Sequence, residues 1–147
     1  MAGSEAPLTP ADVDAQESVF ASAFAAGDLS PARALYCPDV VYLSPTTRLY
    51  GWPARIEGIE ATLEFIGLTV AGLGAITYAV DERAVIDAAA AYVKVRFDFD
   101  AGGQRLRSTY VVVYRYRQGR IAQQELYYDP SAELEVLGPD REAHDTG

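Results

Sequence analysis

Hydrophobic positions along this chain repeat first with a helical period and then with a strand period. Val13, Phe20 and Phe24, with Ala21 and Ala23 beside them, mark one face of a helix. Thr9-Pro10-Ala11-Asp12 supplies a capping hydroxyl, a proline at the first helical position and an acid in the first turn. Gly27 supplies the stop. Ser30-Pro31 opens a second, short helix carrying Leu35 and Tyr36, which Pro38 is expected to end. Residues 39–44 read as a strand cut by Pro45, and a loop runs on through Gly51-Trp52-Pro53. Ile59, Leu63 and Ile66, with Phe65 adjacent, form a third helical stripe that Gly72-Leu73-Gly74 terminates.

The second half changes period. Four β-rich runs are expected, over residues 75–86, 89–100, 105–117 and 120–129. Ala101-Gly102-Gly103-Gln104 and Gln118-Gly119 are the turn signals that make the last three a meander. Past Pro130 apolar residues become sparse. The expected layout is a flexible N-terminus over 1–8, one domain over 9–138 and an acidic disordered tail over 139–147. Helices followed by a run of strands argue for an α+β fold, with a curved, mainly antiparallel sheet wrapped over the helices.

Composition narrows the chemistry. The 147 residues suit a single domain with a real core, half of them hydrophobic and 22% charged. Without a long apolar run or a basic-then-apolar leader, no membrane span or secretion signal is expected, and the expected location is cytoplasmic. One cysteine, Cys37, leaves no internal disulfide or cysteine-based zinc site. One histidine, His144, near the end, argues against Ser-His-Asp and Cys-His catalysis. The net charge of −9 resides mainly in the two ends, so it reads as solubility and not as a binding field. No basic stripe for nucleic acid, phosphate loop, dinucleotide motif or metal-ligand spacing appears, so no cofactor is expected.

The order of elements, with Phe24-Ala25-Ala26-Gly27-Asp28, Pro38-Asp39-Val40-Val41-Tyr42, Gly58-Ile59, Gly119-Arg120-Ile121 and Tyr127-Tyr128-Asp129-Pro130, resembles the SnoaL-like proteins of the nuclear transport factor 2-like superfamily. The resemblance implies a cystatin-like cone: three N-terminal helices packed on a strongly curved sheet that encloses a pocket. It also implies a homodimer through the outer sheet face. Chemistry is left open, because this fold hosts isomerases, hydrolases, cyclases, dehydratases and plain binding modules.

Arg96-Phe97-Asp98, followed after an aromatic pair by Asp129, is similar to the site pattern of limonene epoxide hydrolase, a family of that superfamily. Alternation puts Arg96 and Asp98 on one strand face, about 6.6 Å apart. An arginine between two carboxylates can orient both and hold them in unlike protonation states. By that resemblance Asp129 would be the general base, Asp98 the general acid and Arg96 the bridge. Tyr42 and Ser44 would hold the attacking water, with Ser44 standing where the family has asparagine. Steroid-isomerase-type proton transfer fits less well, since Ser44 is not a base and Val111-Val112-Val113 offers no acid.

The competing reading is a solvent-facing ladder. Tyr92, Lys94, Arg96, Asp98 and Asp100 alternate with Val93, Val95, Phe97 and Phe99, as in a strand whose polar face meets water. Turn parity separates the two. A three-residue loop at 101–104 sets Arg96 beside Asp129, whereas a loop of two or four residues turns Arg96 and Asp98 to the other face. A two-residue turn at Gln118-Gly119 would pair Asp129 with Ser108, on the face of Tyr110, Val112, Tyr114 and Tyr116. Phe20, Phe24, Trp52, Tyr110, Val112, Tyr114 and Tyr127 are the expected ligand contacts, and a small apolar molecule is the expected partner. Two functions follow: a cofactor-free hydrolase or lyase, or a ligand-binding domain without turnover.

Overall fold

The computed structural model describes residues 7–128 and 135–139. Helix α1 (Pro10–Ala26) starts at a capping box. The Asp12 backbone N–H donates to Thr9 Oγ1 at 3.2 Å and the Thr9 N–H donates to Asp12 Oδ2 at 3.0 Å. Gly27 ends the helix at φ 69°, a left-handed conformation that a glycine adopts without strain. The second helical element is a 3-10 helix, Ser30–Leu35, and the third is α2 (Ile59–Val70). A 3-10 turn over Thr47–Tyr50 was not expected from the sequence.

Seven strands form one mixed sheet: β1 (Tyr36–Leu43), β2 (Arg55–Glu57), β3 (Gly74–Asp87), β4 (Ala90–Ala101), β5 (Gln104–Arg117), β6 (Arg120–Tyr128) and β7 (Glu135–Pro139). Their order is β2-β1-β6-β5-β4-β3, with β7 also on β5, and only β1 and β6 run parallel. Strand β1 starts earlier than expected, so Pro38 lies inside a strand and the 3-10 helix has already ended at Leu35. Strand β7 falls where apolar residues are sparse, and it pairs with Gln104–Arg107, the half of β5 that β6 does not cover. Leu8, inside the expected flexible N-terminus, donates its N–H to the Ala88 carbonyl at 3.0 Å. Residues 140–147 of the expected tail lie outside the described residues.

The core lies between the helices and the concave side of the sheet. Helix α1 packs on β3 and α2 packs on β1. Val13, Phe20, Ala23 and Phe24 bury one face of α1, while Phe65 of α2 is fully enclosed by the rings of Tyr42, Tyr50 and Trp52. From β4 the buried residues are Ala90, Ala91, Val93, Val95, Phe97, Phe99 and Asp100, with Val93, Val95, Phe97 and Phe99 alternating along the inward face. The turn into β5 sets this alternation: Ala101 pairs with Gln104, leaving two residues, Gly102 and Gly103, at φ 60° and 80°. Two successive positive φ values belong to a type I′ hairpin, whose twist matches the strands.

A β-branched residue at this turn is sterically opposed, so Gly103→Val is expected to lower stability by about 1–2 kcal/mol. Gly102→Asn should cost only tenths of that, because asparagine tolerates the left-handed region. Urea unfolding of the two variants checks the contrast.

Candidate functional site

A cavity of about 490 Å³ opens between α1, α2 and the concave sheet. Apolar side chains make most of its wall, with Phe20 and Phe24 from α1, Phe97 and Phe99 from β4, and Val112 and Leu126 from the middle of the sheet. Its polar groups are the phenols of Tyr42, Tyr50, Tyr78, Tyr110 and Tyr128, the hydroxyls of Thr46, Thr69 and Ser108, and the Gln124 amide. No charged side chain lines it among the described residues.

Register explains which residues arrive there. Phe97 pairs with Ser108, and Tyr42 of β1 pairs with Gln124 of β6. Both pairs line the cavity. The two-residue turn is the parity under which Arg96 and Asp98 leave the pocket face. Arg96 is bound to Asp81 on β3 at 2.5 Å, and Asp98 takes a two-pronged contact from Arg107 at 2.7 and 3.0 Å. Hydrogen bonding by Arg107 holds the Asp98 carboxyl below the usual range, so Asp98 is an ionised partner in an ion pair and not a proton donor. Asp129, the expected base, lies outside the described residues.

Phe20, Phe24, Tyr42, Tyr110 and Val112 line the cavity. Ser44 does not: it is buried, and its hydroxyl is engaged with Thr46 Oγ1 at 2.9 Å in the turn after β1. Trp52 packs edge-on against Phe65 behind the wall, and Tyr50 takes the rim in its place. Tyr114 is fully buried beneath the floor, stacked on Phe20. Tyr127 points outward and is 51% exposed. A bulge causes this, because Arg115 pairs with Gln123 but Tyr116 with Ile121. The extra residue, Ala122, moves the register by one, so Tyr128 and not Tyr127 stands opposite Tyr110.

Beneath the floor sits a carboxyl that sequence reasoning missed. Glu17 of α1 is only 5% exposed. The Tyr78 hydroxyl donates to Glu17 Oε1, and Gln16 Nε2 donates to Oε2 at 2.8 Å. The Tyr114 hydroxyl is also close to this carboxyl. Burial raises the Glu17 carboxyl above the ordinary range, against the opposing pull of those donors. The signal was present in the sequence, since Gln16 and Glu17 occupy the gap between Val13 and Phe20 on the apolar stripe of α1. A second fixed group is Gln124. The buried Tyr36 hydroxyl donates to its Oε1 at 2.6 Å, which leaves the amide N–H groups as the end offered to a ligand.

The sequence profile of the SnoaL-like domain matches residues 17–124, well over half of the chain. The chain belongs to the SnoaL-like domain family. No curated protein sequence matches it. Solved structures with the same fold include an epoxide hydrolase of limonene epoxide hydrolase type from Mycobacterium tuberculosis, at 20% identity and TM-score 0.62, covering 81% of this chain and 84% of the other. Another is a nuclear transport factor 2-like protein from Anabaena variabilis, at 13% identity and TM-score 0.70, covering 82% and 89%. A third, from Catenulispora acidiphila, has a ketosteroid isomerase-like fold and was solved with trimethylamine, at 16% identity and TM-score 0.65, covering 84% and 89%. At these identities the SnoaL-like chain shares a fold with all three, and its chemistry rests on its own cavity.

Two outcomes separate the outer ion pairs from the buried carboxyl. Arg96→Ala is expected to cost under about 1 kcal/mol, as for other solvent-screened pairs. Glu17 behaves oppositely to a salt-bridged acid. Its raised folded-state value means that ionisation opposes folding, so the stability it contributes is full below the ordinary glutamate value near about 4.3 and is lost as pH rises through the folded value. Glu17→Gln should therefore be the more stable protein at neutral pH and converge on wild type in acid, read by urea unfolding across a pH series.

Proposed function

We propose that this SnoaL-like domain is a small-molecule pocket protein whose ligand is neutral, mainly apolar and equipped with a hydrogen-bond acceptor. The observation that carries this is the cavity wall: aromatic and aliphatic surface, neutral hydroxyls and one amide. A charged ligand would lose its hydration there without gaining a counter-charge, at a cost of several kcal/mol. An apolar ligand gains roughly 25 cal/mol for each Å² it buries. Tyr36 occupies the Gln124 Oε1, so among the described lining groups Gln124 is placed to donate from its amide nitrogen, which favours a carbonyl, ether or epoxide oxygen at that end.

Binding without turnover is the form best supported by the described residues. The catalytic form, a cofactor-free hydrolase or lyase of limonene epoxide hydrolase type, keeps Asp129 as general base and Tyr42 beside the attacking water, and takes no part from Arg96 or Asp98. The shared fold with a mycobacterial epoxide hydrolase supports testing it. A homodimer through the outer sheet face, where Tyr127 stands half-exposed, belongs to the same proposal. A single species of monomer mass in sedimentation would remove it.

The test is binding of neutral bicyclic aromatics by fluorescence quenching. 2-Acetonaphthone is expected to bind, Ser108→Trp to abolish binding by filling the cavity, and Gln124→Leu to weaken it about three- to tenfold, the worth of one hydrogen bond. Diol formation from small apolar epoxides, lost in Asp129→Asn, would select the catalytic form.

A further inference from the structure

The polar cluster beneath the floor has a proton arrangement that can be counted. Tyr116 donates its hydroxyl proton to Gln16 Oε1 at 2.8 Å. That bond accompanies an amide orientation in which the Gln16 Nε2 end faces Glu17 Oε2 and donates there. Ionised Glu17 accepts from Gln16 on one oxygen and from Tyr78 on the other. Tyr78 has one hydroxyl proton, and in this state it is committed to Glu17.

A proton arriving on Glu17 is better placed on Oε1, on the side of Tyr78, because the unprotonated oxygen of a neutral carboxyl is the stronger acceptor and Gln16 presents its N–H to Oε2. The hydrogen bond between the two then reverses, with Glu17 donating and the Tyr78 oxygen accepting. The Tyr78 proton then turns to another acceptor, either the Tyr114 hydroxyl, which lies close to both Glu17 and Tyr78, or a ligand in the cavity that Tyr78 lines. We infer that Glu17 is a positioning residue whose protonation, relayed through Tyr78, decides whether the cavity floor offers a ligand a hydrogen-bond acceptor or a donor. This deepens the small-molecule reading above and rests on it.

The surroundings leave Glu17 as the group that titrates. Tyr78 faces it from β3, Tyr110, Tyr114 and Tyr116 from β5, and Tyr36 from the start of β1. Burial holds all five phenols above their usual value, so they stay neutral across the ordinary range. No arginine or lysine pairs with Glu17 among the described residues. Gln16 and Tyr116 also line a second cavity of about 530 Å³ at the start of α1. Glu17 therefore lies one hydrogen bond from a lining residue of each cavity, and the second cavity brings solvent near it while a ligand fills the first.

Two probes of one shape read the change. 2-Acetonaphthone offers only an acceptor, and 2-naphthol offers a hydroxyl donor. In wild type the ratio of acetonaphthone to naphthol affinity is expected to fall about three- to tenfold between acid and neutral pH, as one hydrogen bond changes direction. Glu17→Gln, whose amide donates to Tyr78 permanently, should hold the acid ratio at every pH. Tyr78→Phe should abolish the pH dependence while keeping the ring, and it serves if the first variant does not fold. A ratio independent of pH in wild type, or a pH dependence that survives in these variants, overturns the inference and leaves the ligand cavity standing. Failure of both probes to bind at any pH overturns the cavity reading, and the inference with it.

Discussion

The register between β4 and β5 is the constraint on which the rest of this structure depends. Side chains alternate along a strand with period two, so a hairpin loop one residue longer would exchange every inward residue for an outward one. Gly102 and Gly103 close the hairpin with two residues, and Phe97, Phe99, Ser108, Tyr110 and Val112 fall on the concave face. Arg96, Asp98 and Arg107 fall on the other, where they form ion pairs. The opposite parity would have placed arginine and aspartate against Phe20 and Phe24, with desolvation costs that exceed what their mutual attraction returns.

Strand β5 carries that register across the sheet. One half pairs with β6 and the other with β7, while β4 follows it from Gln104 to Arg115. The bulge at Ala122 then changes phase once more, which brings Tyr128 inward beside Tyr110 at a centroid separation of 5.1 Å. The result is a floor of tyrosines whose hydroxyls need partners in a place where water is scarce. Gln124, Gln16 and Glu17 meet that need for Tyr36, Tyr116 and Tyr78. A carboxyl buried among phenols, with no cation paired to it among the described residues, costs stability, and such costs concentrate where a site has a use for the group.

Relatives of this fold differ in chemistry because the cone supplies a cavity, and the side chains pointing into it supply the reaction. In this chain the described wall is neutral. Recognition therefore rests on apolar contact and a few oriented hydrogen bonds, with Gln124 at one point and the Glu17–Tyr78 pair at another.

The elements themselves were legible in the chain. The capped stripe of α1, the stripe of α2 and the alternation of β3 to β6 are local patterns, set by the periods of the backbone and by burial of one face. The SnoaL-like order of those elements was legible for the same reason, and so were Phe20 and Phe24 as inward residues. The position of Glu17 on the apolar stripe could also have been read. What the tertiary structure decided was phase. The Gly-Gly turn admitted loops of two, three or four residues, and nothing local marked a bulge at Ala122. Only pairing against the neighbouring strands, with a core to fill on one side, selected a parity. That selection moved Arg96, Asp98 and Tyr127 out and brought Phe97, Phe99 and Tyr128 in. A period-two pattern specifies which residues share a face, and only packing specifies which face is inside.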